Sequence, residues 1–101
     1  MIVLHATVPI GEEYRADATE MITDLVERSR AEEGMVDYRA TTDIEDPNTV
    51  RFFEQYEDEK ALEAHLETDH YREFEAALAE WLAGEPEVLK FDVSAAERLE
   101  L

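Results

Sequence analysis

MVDYRATTDIEDPNTVRFFEQYE, residues 35–57, decides the fold. Residues 35–43 alternate, with Val36, Tyr38 and Ala40 predicted on one face and Asp37 and Arg39 on the other. EDPN (45–48) then makes a turn: Pro47 presets φ, and Asp46 and Asn48 tolerate turn geometry. TVRFFEQYE (49–57) returns as a second alternating run, so the two strands form a hairpin. Period two puts Glu54 on the same side as Phe52 and Tyr56. A carboxylate sharing a face with two aromatics must be paired, hydrogen-bonded or protonated if that face is the core.

Working outward, IVLHATVP (2–9) alternates, with Ile2, Leu4, Ala6 and Val8 opposed to Val3, His5 and Thr7, and ends at Pro9 and Gly11. From Glu12 to Glu33, Tyr14, Ala18, Met21, Ile22, Leu25 and Val26 recur at helical spacing, with acids in the first turn and Gly34 as the stop. After the hairpin, Asp58 caps a helix carrying Ala61, Leu62 and Leu66. The pattern restarts at Thr68-Asp69 with Tyr71, Phe74, Leu78, Trp81 and Leu82, and Gly84 and Pro86 end it. EVLKFDV (87–93) is the last strand. The order β-α-β-β-α-β predicts an α+β, ferredoxin-like sandwich: an antiparallel sheet with helices on one face. Residues 1–94 form the single domain and 95–101 a charged tail. Val3, Phe53, Leu89, Phe91 and Val93 then fall on the bare sheet face, which a homodimer packing sheet against sheet would cover.

The chain carries 27 Asp and Glu against 9 Lys and Arg, a formal charge of −18, yet is 45% hydrophobic and so can build a core. Its acids are spread through every element rather than gathered in a tail. Self-repulsion of that size is relieved by salt screening, which points to a salt-adapted, halophilic cytoplasm. No basic patch is available to neutralise phosphates, so nucleic acid is not an expected partner. There is no cysteine, which removes disulfides, thiolate nucleophiles and thiolate-bound metals. No long apolar run marks a membrane span or leader, and a cytoplasmic location is expected.

The chemistry concentrates in ALEAHLETDHYREF (61–74). His65 borders the sheet-facing side of its helix, where an imidazole either completes the core or exchanges a proton near neutral pH. His70 follows five residues later. On one continuous helix that spacing turns through about 500°, leaving the two rings about 140° apart and unable to meet one ion. No HExxH occurs; a His65–Glu54 set with His5 stays geometrically open but is disfavoured because His5 falls on the other side of the sheet, so no metal is expected. Glycine-rich phosphate loops and a GxSxG elbow are missing. Tyr38, Tyr56, Tyr71, Phe74 and Trp81 either line an aromatic cavity between sheet and helices or are plain core.

Residues 32–78 resemble the antibiotic biosynthesis monooxygenase (ABM) domain family. The resemblance rests on E-G at 33–34, D-P at 46–47, F-x-E-x-Y-x-D at 52–58, A-L-x-A-H at 61–65 and H-Y-x-x-F at 70–74. It implies a dimeric ferredoxin-like protein with a pocket between sheet and helices. Members of that family include cofactor-free monooxygenases of quinols or aromatic polyketides, haem-degrading enzymes and an isomerase of the phosphorylated autoinducer-2 signal. The resemblance places the family histidine on His65, the strand glutamate on Glu54 and the second histidine on His70. It makes His65 and Glu54 the catalytic candidates and Tyr38, Phe52, Tyr56, His70 and Tyr71 the substrate-binding ones. His65 would be a base, with Glu54 fixing its tautomer or stabilising its cation. The haem-degrading pattern is not matched, so no cofactor is implied, and the expected partners are a small molecule and O2. The aromatic after the glutamate is often Trp in the family and is Tyr56 here, which with His70-Tyr71 keeps the isomerase branch open. A phosphorylated hydroxy-ketone would need cations, for which Arg39, Arg51 and Arg72 are the candidates. The third alternative is a non-catalytic ligand-binding or stress domain that kept the pocket.

Overall fold

The computed structural model describes residues 1–101. Four strands, β1 (Ile2–Pro9), β2 (Met35–Thr42), β3 (Thr49–Tyr56) and β4 (Glu87–Asp92), form one antiparallel sheet in the order β2-β3-β1-β4. Helices α1 (Arg15–Arg30), α2 (Glu59–Leu66) and α3 (Asp69–Trp81) pack on one face. This is the ferredoxin-like sandwich that the alternating runs predict.

Period two decides what each strand buries. Ile2, Leu4, Ala6 and Val8 of β1 are all buried against the helices, beside Phe52, Glu54 and Tyr56 of β3. From α1, Ala18, Ile22 and Leu25 fill the layer above them, with Phe74 and Trp81 of α3. Removing such side chains from water is the main stabilising term. The opposite face is bare: register places Val3 beside Phe91, and His5 between Phe53 and Leu89. Phe53, Leu89 and Phe91 are 41%, 44% and 47% exposed.

Three local features refine the sequence reading. The expected helix over 12–33 opens with a short 3-10 turn at Glu12–Tyr14 and closes at Arg30, so Glu32 lies in the turn beyond it. A β-bulge separates Met35 from Asp37 in their pairing with Tyr56 and Gln55. The extra residue is Val36, which is therefore exposed instead of sharing the core face with Tyr38; Met35 packs inward in its place. The restart expected at Thr68-Asp69 is a full break between two helices, α2 and α3. Asp58 accepts a hydrogen bond from the Ala61 N–H and caps α2, and Thr68 accepts one from the Tyr71 N–H and caps α3.

Gly34 supplies the one left-handed residue, at φ +83°, where α1 hands over to β2. A Cβ built there would lie 2.7 Å from Ala61 Cβ. Backbone strain and the clash with α2 act together, so Gly34→Ala is expected to lower unfolding free energy by on the order of 1–3 kcal/mol. Urea denaturation of the two proteins measures the difference.

Candidate active site

Four elements supply the ionisable and aromatic groups that converge beneath α2 and α3. Glu54 stands on β3, paired directly with Leu4 of β1 on one side and Tyr38 of β2 on the other. It is 8% exposed, and the Tyr56 hydroxyl donates to its Oε1 at 2.5 Å. Burial pushes the Glu54 carboxyl up to about 7; the Tyr56 hydrogen bond opposes the rise and the charge of Glu32 adds to it. The Tyr38 and Tyr56 hydroxyls are driven well above their ordinary range, mainly by burial and then by Glu54, so both stay neutral donors. Burial first, then Glu75, raises Tyr71 to about 12.

A cavity of about 390 Å³ opens beside this carboxyl. Tyr38, Phe52, Leu62, Tyr71 and Phe74 contribute to its largely apolar wall, and Val88 and Leu66, both substantially exposed, contribute as well. Its two ionisable groups other than tyrosine are Glu54 and Glu75; no lysine or arginine lines it. Leu4, Ala6 and Val8 of β1 share the lining with Val88 of β4, so the cavity lies towards the β4 side of the sheet.

His65 projects from α2 and is 1% exposed. Its ring packs on Tyr38 and Tyr71, both cavity residues, with centroids 5.2 Å away in each case, and on Tyr56 at 5.7 Å. The expected partnership with Glu54 gives way to a different one. His65 Nδ1 lies 2.9 Å from Glu32 Oε2, and the same oxygen is 2.6 Å from His70 Nε2. A carboxylate only accepts, so both imidazoles donate to it. That leaves His65 Nε2 as the lone-pair nitrogen, buried and without a partner. Burial lowers the His65 pKa, and the Glu32 carboxylate only partly offsets it, so the ring is a neutral base at neutral pH.

The two histidines do meet, contrary to the expectation for one continuous helix. The break at Glu67-Thr68 resets the axis between α2 and α3, and the 140° offset no longer applies. Of the expected substrate-binding residues, Tyr38, Phe52 and Tyr71 line the cavity, Tyr56 stands behind it holding Glu54, and His70 lines a separate outer groove. Glu32 was not a sequence candidate. Its one signal is an acid just past the C-terminus of α1, where the helix dipole disfavours negative charge and another partner is needed.

The sequence profile described as antibiotic biosynthesis monooxygenase matches residues 1–77. This chain belongs to that family. It is 34% identical over 94 residues to YcnE of Bacillus subtilis, a protein named provisionally as a monooxygenase, covering 93% of this chain and 99% of that one. Among solved structures, a conserved protein from Methanosarcina mazei superposes with a TM-score of 0.84 at 28% identity, covering 89% of each chain. PA3566 from Pseudomonas aeruginosa gives 0.84 at 26% identity, covering 93% of this chain and 94% of that chain. A Deinococcus radiodurans protein at 19% identity and TM-score 0.89 shares the fold. Family membership supports oxidation chemistry of the monooxygenase type in general. No helix of the chain is long and apolar enough to cross a membrane.

The raised Glu54 carboxyl ties stability to pH with a definite sign. Its folded value, about 7, lies above the ordinary 4.5, so the protonated form favours folding. That contribution is complete below about 4.5 and is lost as pH rises through about 7. Glu54→Gln stays neutral and keeps an oxygen for Tyr56. Its stability relative to the parent should therefore increase between those pH values, by on the order of 3 kcal/mol, at about 1.4 kcal/mol per unit. Paired denaturation curves across that pH range test it; a pH-independent difference would contradict a carboxyl titrating in the core.

Proposed function

We propose that this protein is a cofactor-independent monooxygenase of a quinol or related aromatic, enolic small molecule. The observation that carries the proposal is an apolar, aromatic-walled cavity lined by a buried carboxyl, Glu54, that burial pushes up to about 7. Such a cavity accepts a flat, neutral molecule, and a group titrating near 7 is suited to take its phenolic proton. The absence of lysine and arginine from the lining weighs against a phosphorylated hydroxy-ketone. Arg39 and Arg51 are engaged with Asp37 and Asp43, and Arg72 is exposed.

In this reading Glu54 and His65 are the catalytic pair. Glu54, ionised, accepts the hydroxyl proton, and the buried, unpartnered Nε2 of His65 is a second acceptor behind the tyrosine wall. Tyr38, Phe52 and Tyr71 hold the ring, Tyr56 fixes Glu54, and His70 with Glu32 fixes His65. The resulting anion gives one electron to O2, and the substrate radical and superoxide combine into a C–O bond. Glu54 returns its proton to the outer peroxide oxygen and then takes the ring proton at that carbon, which breaks the O–O bond and releases hydroxide; that second proton converts the hydroxide to water. One oxygen atom stays on the substrate and the other leaves as water, with all electrons drawn from the substrate.

Oxygen uptake with a panel of reduced quinones tests the proposal. Glu54→Gln and His65→Asn are each expected to lower kcat by about 10²–10⁴-fold, the usual range for a lost acid–base group. The parent's kcat should rise with pH through about 7 as Glu54 ionises. No uptake, or uptake indifferent to both residues, would overturn it in favour of a binding domain.

The bare sheet face supports assembly as a homodimer. Phe53, Leu89 and Phe91 come from neighbouring register positions and form one apolar surface opposite the helices. A second copy packed sheet to sheet would cover it. Light scattering should give twice the chain mass for the parent and a monomer for Phe53→Asp; a monomeric parent would exclude the dimer.

A further inference from the structure

The Glu32–His65–His70 cluster holds more chemistry than the orientation of one imidazole requires. We infer that it is a binding site for one divalent d-block cation of the Zn2+ type, with Glu32 carboxylate, His65 Nδ1 and His70 Nε2 as its protein ligands. All three donor atoms lie within 4.8 Å of one another, and each residue is at least partly buried. The His65 and His70 nitrogens face one carboxylate oxygen at 2.9 and 2.6 Å. Ligands of a tetrahedral Zn2+ with bonds of about 2.0–2.1 Å stand about 3.4 Å apart. The two nitrogen–carboxylate distances therefore need to open by about 0.5 and 0.8 Å, with the two nitrogens already within 4.8 Å of each other. Glu32 can supply that movement, because it sits in the turn beyond α1 on a side chain with three rotatable bonds.

The ligand set selects the metal class. Two imidazole nitrogens and one carboxylate oxygen suit Zn2+ and its borderline neighbours, whereas Mg2+ and Ca2+ prefer all-oxygen shells. A route in is present as well. His70 lines an outer groove of about 550 Å³ together with Asp17, Glu20, Asp24 and Glu73. Four carboxylates around one imidazole raise the local concentration of cations where the cluster meets solvent. The fourth coordination position is left to water.

Occupancy would change the other side of His65. Without metal, Nδ1 carries the proton towards Glu32 and Nε2 keeps its lone pair. A neutral imidazole bound through Nδ1 must carry its proton on Nε2, which ceases to be an acceptor. If His65 is a base, as proposed above, metal at Glu32 and His70 switches it off. This consequence rests on the functional reading; the binding itself does not.

Titration of the full-length protein with Co2+ and Zn2+, in excess Mg2+ to saturate its acidic surface, tests the site without any substrate. The expected result is one Co2+ per chain with a visible d–d band, displaced by Zn2+. The band should disappear in His70→Gln and Glu32→Gln, with at least a tenfold loss of Zn2+ affinity by calorimetry. His5→Gln, on the opposite sheet face, should bind like the parent. Circular dichroism confirms that each variant is folded; should Glu32→Gln unfold, His70→Gln, at the most exposed of the three ligands (16%), decides alone. A folded parent with no band, or a band surviving in His70→Gln, overturns the site. Loss of the parent's oxygen uptake on adding one equivalent of Zn2+, restored by a chelator, tests the switch separately; uptake unchanged by that equivalent overturns it.

Discussion

Glu32 accepts hydrogen bonds from two imidazoles on two different helices, and much of the site depends on that convergence. It joins the end of α1 to the last turn of α2 and the first turn of α3. A buried imidazole has two nitrogens to satisfy, and which one carries the proton is decided by its surroundings. By taking Nδ1–H, Glu32 leaves His65 with a lone pair on Nε2. Breaking the helix at Glu67-Thr68 is what lets His70 reach the same oxygen. Thr68 makes the break stable, since its side chain caps the new helix and its hydroxyl also donates to the His65 carbonyl at 2.7 Å.

The architecture was legible in the sequence wherever local rules act alone. Alternation in residues 2–9 and 49–57 separates the buried Ile2, Leu4, Phe52 and Tyr56 from the exposed Phe53, and the structure has that split. Asp58 and Thr68 mark helix starts by side-chain chemistry that does not depend on the rest of the chain. Val36 escapes the same reasoning, because a bulge inserts one residue and reverses the sides of a period-two pattern from that point. Such an irregularity is set by pairing with Tyr56 and Gln55, which are distant in sequence.

The site was legible only in part, for a related reason. Glu54 announces itself by sharing a strand face with aromatics. Glu32 does not: it is one of 27 acids, in a turn, with no period to place it. Its meaning comes from the fold, which carries His65 and His70 to it from 33 and 38 residues away. The expected pairing of Glu54 with His65 used the right kind of carboxylate for an imidazole, but β3 offers its carboxyl a nearer donor in Tyr56.

Glu54 and the surface acids are the same residue type in opposite circumstances, and the contrast explains why the cavity can be reactive in so acidic a protein. On the surface, water and salt screen each carboxylate. In the core, Glu54 meets mostly apolar and aromatic neighbours, and desolvation outweighs the one hydrogen bond it receives. Replacing it with an apolar residue would remove that penalty, so folding alone gives no reason for a carboxyl there. The penalty is what holds the group near neutrality, where it can both accept and return a proton. Stability and the proposed proton chemistry therefore pull in opposite directions at this one position, and the raised carboxyl is where that conflict would be expressed.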